Sequence, residues 1–355
     1  MNHKTLIDRL NTEKRLSHGE WTALISDYTE EDLAYAAELA REIVTEQFGN
    51  KIYFRGIIEF SNICKNDCLY CGIRRSNGNV ERYRLMEADI LLCCGEGYKL
   101  GYRTFVLQSG EDGYFTDERL CGLIRKIREG FPDCAITLSV GERSRASYEA
   151  LFRAGANRFL LRHETADEGH YKSLHPAEMS FSHRMQCLRD LKDIGYQVGC
   201  GMMVGSPHQT PAHLARDMEF MGQFQPAMVG IGPFIPHGDT PFRAEPAGSS
   251  ELTLFLISLT RIMLPTVLLP STTALGSVSE EGRKLGVLHG CNVVMPNLSP
   301  AAVRKQYMLY NNKAGVDQDA AAGLALLMRQ MEDIGYEVVT GRGDHRDYTR
   351  QEETV

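Results

Sequence analysis

Several kinds of signal are missing from this chain, and each absence removes a class of function. No cluster of lysines and arginines occurs along its 355 residues and the formal charge is −7, so a nucleic-acid partner is not expected. The N-terminus, Met1 to Trp21, alternates charged and polar residues. It reads as neither signal peptide nor membrane span, and no membrane partner is expected. No linker, low-complexity tract or second domain can be discerned. Ten cysteines in so long a chain are too few and too scattered for a disulfide scaffold. A reducing, cytoplasmic setting fits them. Seven of these, Cys93, Cys94, Cys121, Cys134, Cys187, Cys200 and Cys291, have no ligand spacing and are expected in the core.

The other three are what the chain does have. They stand as Cys64-Lys-Asn-Asp-Cys68-Leu-Tyr70-Cys71, and thiolates at x3 and x2 spacing on one loop can hold three irons of a [4Fe–4S] cluster. An electron-transfer cluster takes four cysteines. With three, one iron stays open, which a catalytic site needs and a structural one does not. Zinc usually shows paired CxxC units or a second Cys/His pair, and none lies nearby. The spacing, with the aromatic Tyr70 before the third cysteine, is similar to the cluster loop of the radical S-adenosylmethionine (SAM) enzymes.

Residues 1–50 read as helix, with Thr29-x-x-Asp32 as a capping box. Thereafter short apolar runs alternate with longer amphipathic ones. Strands are predicted at 54–60, 103–108, 135–140, 158–162, 197–204, 228–232, 267–273 and 292–296. Helices are predicted at 88–100, 117–130, 144–154, 180–194, 211–224, 249–263, 279–289 and 319–334. This predicts a complete α/β (βα)8 TIM-type barrel over 51–340 behind an N-terminal helical extension, 1–50. The charged tail, 341–355, is expected to fray.

Strand alternation says which side chains face inward. In Ile136-Thr137-Leu138-Ser139-Val140 the apolar residues face the helices, which leaves Thr137 and Ser139 in the lumen. The same logic puts Leu160 and Arg162 inward and His163 outward. Gly199, Gly201, Gly230 and Gly232 leave room for a ligand or allow close strand packing. Barrel active sites lie at the C-terminal strand ends, where the cysteine loop follows strand one. Strand two ends in Gln108-Ser109-Gly110-Glu111-Asp112, a turn that lets backbone approach a ligand. SAM bound through an open iron still wants a carboxylate for its amino group and a guanidinium for its carboxylate. Glu164 and Arg184 are the candidates, and a rim ion pair between them is the alternative. Arg162, costly to bury unpaired, wants an anionic substrate or else Glu59. Thr272 and Thr273 add hydroxyls to the same rim. Tyr307 and Tyr310 stand at i and i+3, able to close the mouth or to sit in the core.

The runs Phe60-Ser-Asn-Ile-Cys64, Leu107-Gln-Ser-Gly-Glu-Asp112, Leu161-Arg-His-Glu-Thr-Ala166 and Gly230-Ile-Gly-Pro-Phe-Ile-Pro-His237 resemble the HydE family of radical SAM enzymes. So do Ser271-Thr-Thr-Ala-Leu-Gly276 and Asn292-Val-Val-Met-Pro-Asn297. The resemblance runs over about residues 15–340. It implies a [4Fe–4S] cluster, SAM, and a role in building the two-iron part of the [FeFe]-hydrogenase H-cluster. The substrate would be a small iron–cysteine complex bearing CO and cyanide. HydG and HydF would be the partner maturases, beside an electron donor. Tyr70, Gln108, Ser109, Glu164 and Arg184 would then serve the cofactor. Arg162, Thr137, Thr272 and Thr273 match the family's internal anion site, with Ser139, Met295 and Tyr310 as further substrate contacts. Arg162, Thr272, Thr273 and Tyr307 are the residues expected nearest the chemistry. Some relatives carry a second cluster on three C-terminal cysteines, but Ala314 to Leu327 holds none, so a single cluster is expected. Two turns also depart from the family pattern. Gly-Leu-Pro-Gly-Gln reads Gly205-Ser-Pro-His-Gln209, and His-Pro-Asp reads His237-Gly-Asp239. Two other classes stay open: a carbon-skeleton enzyme such as methylornithine synthase or a biotin synthase-like enzyme, and a non-catalytic iron–sulfur carrier.

Overall fold

A computed structural model describes residues 2–317 and 319–348. The N-terminal segment forms three helices, α1 (His3–Glu13), α2 (His18–Ser26) and α3 (Glu30–Phe48). Each start has a physical reason. Asn2 caps α1, Ser17 and Glu20 form a capping box on α2, and Thr29 with Asp32 forms one on α3. Leu6, Leu10, Trp21 and Leu24 are fully or almost fully buried and continuous with the main core.

The predicted first strand is broken at Arg55 into β1 (Lys51–Phe54) and β2 (Gly56–Ser61). After the cysteine loop come α4 (Glu87–Lys99), β3 (Thr104–Ser109), α5 (Asp117–Gly130), β4 (Ala135–Ser139), α6 (Arg145–Arg153) and β5 (Arg158–Leu160). The chain continues through α7 (Glu168–Leu174), α8 (Phe181–Ile194), β6 (Gln197–Val204), α9 (Pro211–Phe224), β7 (Met228–Pro233) and α10 (Ser250–Met263). β2 to β7 make one parallel sheet in chain order. Helix-separated parallel strands are buried on both faces, so β6 and β7 are buried at every position.

Beyond β7 the regular pattern weakens. The seventh predicted strand is reduced to isolated bridges, Leu268 with Met228 and Pro270 with Val293. Pro270 has no N–H to give a ladder. The predicted 279–289 helix is the short α12 (Gly282–Leu288), preceded by α11 (Thr273–Val278), which was not predicted. β8 (Val293–Val294) pairs with β1 and is followed by α13 (Ala301–Arg304), α14 (Ala320–Glu332) and β9 (Glu337–Val339). Neither α7, α13 nor β9 was predicted. β9 completes a second parallel sheet in the order β8-β1-β9.

The tail is the largest correction. Instead of fraying after Gly341, the chain packs against the N-terminal ends of the strands. Arg158, first residue of β5 and fully buried, donates from Nη2 to Arg342 O and Asp344 Oδ1, both at 2.7 Å. Gln197 Nε2 reaches the same carboxylate oxygen at 2.7 Å, and Arg55 Nη2 donates to Gly343 O at 3.3 Å. Residues 349–355 of the predicted tail lie outside the described residues.

Candidate active site

At the opposite end of the strands, the loop after β2 brings the three cysteines to one cavity of about 360 Å³. All three are free thiols, and all three line its wall. The turn after β3 holds the loop. Gly110 N–H donates to Ser61 O at 3.0 Å, and Glu111 N–H points at Cys64 Sγ at 3.4 Å. A Cβ on Gly110 would come within 2.3 Å of Ile63 O. The glycine is thus required by the cysteine loop itself rather than by a ligand. Among the described residues, no three His, Cys, Asp or Glu side chains close round a single metal ion. The thiols instead face a space that suits a multi-iron group. Burial raises the pKa of all three, that of Cys71 to about 12 with the nearby Cys64 adding to the effect. Iron must therefore displace their protons on binding.

Every residue predicted for the cofactor or the substrate lines this cavity: Tyr70, Gln108 and Ser109; Thr137 and Ser139; Arg162, Glu164 and Arg184; Thr272, Thr273 and Met295; Tyr307 and Tyr310. The four glycines divide. Gly230 and Gly232 face the space, whereas a Cβ on Gly201 would lie 2.1 Å from Gly230 O. Gly201 is there for strand packing.

The expected charge pairings are rearranged. Glu59 is neutralised by Lys313 and accepts from Asn297 Nδ2 at 2.8 Å, so it is not the partner of Arg162. Arg162 Nη2 lies 3.1 Å from Glu164 Oε2. Glu164 is not paired with Arg184 on the rim. The Arg184 guanidinium donates to Glu142 Oε1 and Arg162 O, each at 2.5 Å. Glu164 reaches the cavity through a left-handed backbone, φ 65°, while still making a parallel bridge to Met202 of β6. Its N–H donates to Gly201 O at 3.0 Å. His163 points outward, as the alternation predicts. Its Nδ1 accepts from Gly201 N–H at 3.2 Å, and Nε2 faces the buried Asp217 at 3.4 Å.

Polar atoms converge on the cavity with nothing to bind. Arg162 Nε and Nη2, Thr137 Oγ1 and Thr272 Oγ1 are buried without a hydrogen-bond partner. Leaving such donors unsatisfied is expensive, so they fit an anionic ligand. The hydroxyl of Tyr307 is 3.5 Å from Gln108 Nε2, and burial raises the Tyr307 pKa well above its usual value. It keeps its proton at neutral pH. Sequence reasoning missed His175, whose Nδ1 donates to Tyr171 O at 2.9 Å and whose Nε2 meets the Tyr70 hydroxyl at 3.2 Å. Burial, with the Arg184 charge adding, lowers the pKa of His175 to about 3, so it stays neutral. Met179, with Sδ 3.6 Å from Cys68 Sγ, was missed as well. Both come from the stretch around α7, where no local pattern marks them.

The radical SAM superfamily model matches residues 58–221, which span the cysteine loop and the strands bearing Glu164 and Arg162. The [FeFe] hydrogenase maturase subunit HydE of Thermotoga maritima is 43% identical over 298 residues, covering 84% of this chain and 85% of that protein. The chain belongs to the HydE family. It is therefore a radical SAM enzyme, and the family implies a [4Fe–4S] cluster and SAM. Other relatives stand further off. The 3-methylornithine synthase of Methanosarcina acetivorans is 29% identical over 79% of each chain. A crystal structure of methylornithine synthase matches with a TM-score of 0.80 at 26% identity, over 94% of this chain and 97% of that one. A crystal structure of the hydrogenase maturase HydG shares the fold, with a TM-score of 0.78 at 17% identity, over 94% of this chain and 75% of that one. The methylornithine synthase match extends well beyond the superfamily segment. No described helix is long and apolar enough to cross a membrane.

Proposed function

We propose that this HydE-family enzyme helps to assemble the di-iron part of the [FeFe]-hydrogenase H-cluster, acting on a small anionic iron–cysteine complex that bears CO and cyanide. The observation that carries the reading is the set of unsatisfied donors on Arg162, Thr137 and Thr272 in the cavity beside the cysteine loop. When bound, the cluster and SAM supply a 5′-deoxyadenosyl radical by reductive cleavage. Cys64, Cys68 and Cys71 hold one cluster, a count supported by the lack of cysteine from Ala314 to Leu327.

Glu164 takes the amino group of SAM and Arg184, braced by Glu142, takes its carboxylate. Tyr70, Gln108 and Ser109 complete that seat. Arg162, Thr137, Thr272 and Thr273 bind the anionic substrate, with Ser139, Met295 and Tyr310 around it. Tyr307 keeps its proton and offers a hydrogen bond across the mouth. HydG supplies the substrate, HydF receives the product, and a separate donor provides the electron. A reducing cytoplasm suits ten free cysteines.

The same reading takes 51–340 as a complete eight-stave barrel with residues 1–50 as its extension. The bridges Met228–Leu268, Pro270–Val293 and Ile57–Asn297 support closure of the ring through the irregular staves.

Methylornithine synthase chemistry is the second reading, favoured by the fit to that crystal structure over nearly its whole length. Reduced, reconstituted protein distinguishes the two. It should bind about four irons and form 5′-deoxyadenosine without any dependence on lysine. Lysine-dependent product would move the chain to amino-acid chemistry, and about eight irons would add a second cluster.

A further inference from the structure

Arg82 occupies a position in the cysteine loop that no ion pair explains. Its Nη1 donates to Asn62 O at 2.7 Å and Ile73 O at 2.8 Å, and its Nη2 to Arg74 O at 2.6 Å and Asn77 O at 3.0 Å. Asn62 is two residues before Cys64, and Ile73 two residues after Cys71. One nitrogen therefore bridges both ends of the ligand-bearing segment. The other nitrogen gathers the turn that follows. All four acceptors are neutral carbonyls. The neighbouring Arg74 is neutralised by Asp67 at 2.8 Å. Arg82, half-buried, has no carboxylate partner among the described residues.

Carbonyl dipoles satisfy the donors but leave the whole unit charge in place. A partly desolvated cation of this kind gains most beside an anion held at short range. The loop it spans carries three thiolates once metal is bound, and no carboxylate among the described residues pairs with it in their place.

We propose that Arg82 is the positioning residue of the cluster loop. It sets the three cysteines in their ligating arrangement before iron arrives, and its uncompensated charge then holds the cluster at a higher reduction potential. The two parts separate by substitution, because lysine keeps the charge but cannot span four carbonyls, and glutamine loses both.

The test compares full-length wild type, Arg82→Lys and Arg82→Gln, reconstituted anaerobically with iron and sulfide. Iron uptake, the EPR of the reduced cluster and its midpoint potential are followed, with no SAM present. Both variants should take up iron several-fold more slowly. The potential of Arg82→Lys should stay near that of wild type, and that of Arg82→Gln should be lower. If Arg82→Gln binds no iron while its far-UV circular dichroism matches wild type, the positioning role stands. If Arg82→Gln does not fold, Arg82→Lys decides by its uptake rate. Wild-type uptake in Arg82→Lys overturns the positioning role, and a wild-type potential in Arg82→Gln overturns the electrostatic one. The inference rests on the three cysteines holding the cluster. Should wild type itself bind no iron, that assignment fails, and the outcome is distinct from any failure of Arg82.

Discussion

The carboxylate of Glu164 lies 3.1 Å from Arg162 Nη2, so the proposed SAM seat and the proposed anion site meet at this pair. The contact is an ion pair without hydrogen-bond geometry, since both atoms lack a hydrogen-bond partner. Each group is neutralised in the free chain yet keeps its directional bonding capacity for a ligand. Glu164 holds this position at φ 65°, a conformation costly for a residue with a side chain.

Glu164→Gln should weaken SAM binding by roughly thirtyfold, the equivalent of losing about 2 kcal/mol from a charge-assisted hydrogen bond. The cluster's absorbance and EPR should be unchanged, because the cysteines lie on another loop. Isothermal titration with the reconstituted protein measures it. Equal SAM affinity in Glu164→Gln and wild type would leave Glu164 as the counter-ion of Arg162 and no more.

The backbone of His208 is left-handed at φ 65°. The αL penalty for a side chain is partly offset by the extra chain entropy of glycine. His208→Gly should therefore stabilise the iron-free protein by up to about 1 kcal/mol. Chemical denaturation measures the gain, and a loss of stability would mean that the imidazole makes a contact worth more than the strain.

Much of the architecture could be read from the chain, and the exceptions have identifiable causes. β3, β6 and β7 are largely apolar runs and β4 alternates apolar with polar residues, each between amphipathic helices, so the pattern locates them. The staves predicted at 267–273 and 292–296 are less regular than their apolar runs suggest, and the structure reduces them to isolated bridges and the two-residue β8. Their pairing passes through Pro270 and Pro296 and depends on neighbours distant in sequence. Thr137 and Ser139 were found by alternation because β4 is regular. Glu164 keeps the strand pairing that the alternation assumed, as a parallel bridge to Met202, but takes it up in a left-handed turn in which the buried Asp217 accepts from Ala166 N–H. Glu142 and His175 have meaning only through the partners that tertiary folding brings to them. The same is true of Asp344, in a tail whose composition reads as disordered.

Asp344 also gives a pH dependence. Burial alone would raise its pKa, but Arg158, with Arg342 and Gln197, outweighs that and holds the carboxyl well below the usual range. A depressed carboxyl stabilises the fold fully above its unfolded pKa of about 4 and progressively less as pH falls below it. Asp344→Asn, which leaves the buried Arg158 uncompensated, should cost about 3 kcal/mol at pH 7. The gap between wild type and variant should narrow on going to pH 3. Urea unfolding of the iron-free proteins at the two pH values checks this, and an undiminished gap at pH 3 would count against the ion pair.

Activation of apo-[FeFe]-hydrogenase, in an assay supplied with the HydG and HydF maturases, measures the central claim most directly. Wild-type protein should restore hydrogenase activity. Arg162→Leu should keep its cluster and basal SAM cleavage, because the cysteines and Arg184 are carried by other elements and Glu164, freed of its counter-ion, still faces the SAM amino group. It should nevertheless fail to activate the hydrogenase, since the anion site would have lost its only guanidinium. Activation by Arg162→Leu at the wild-type rate would contradict the account. Arg162 would then be the partner of Glu164 alone, and the substrate would have to bind elsewhere in the cavity.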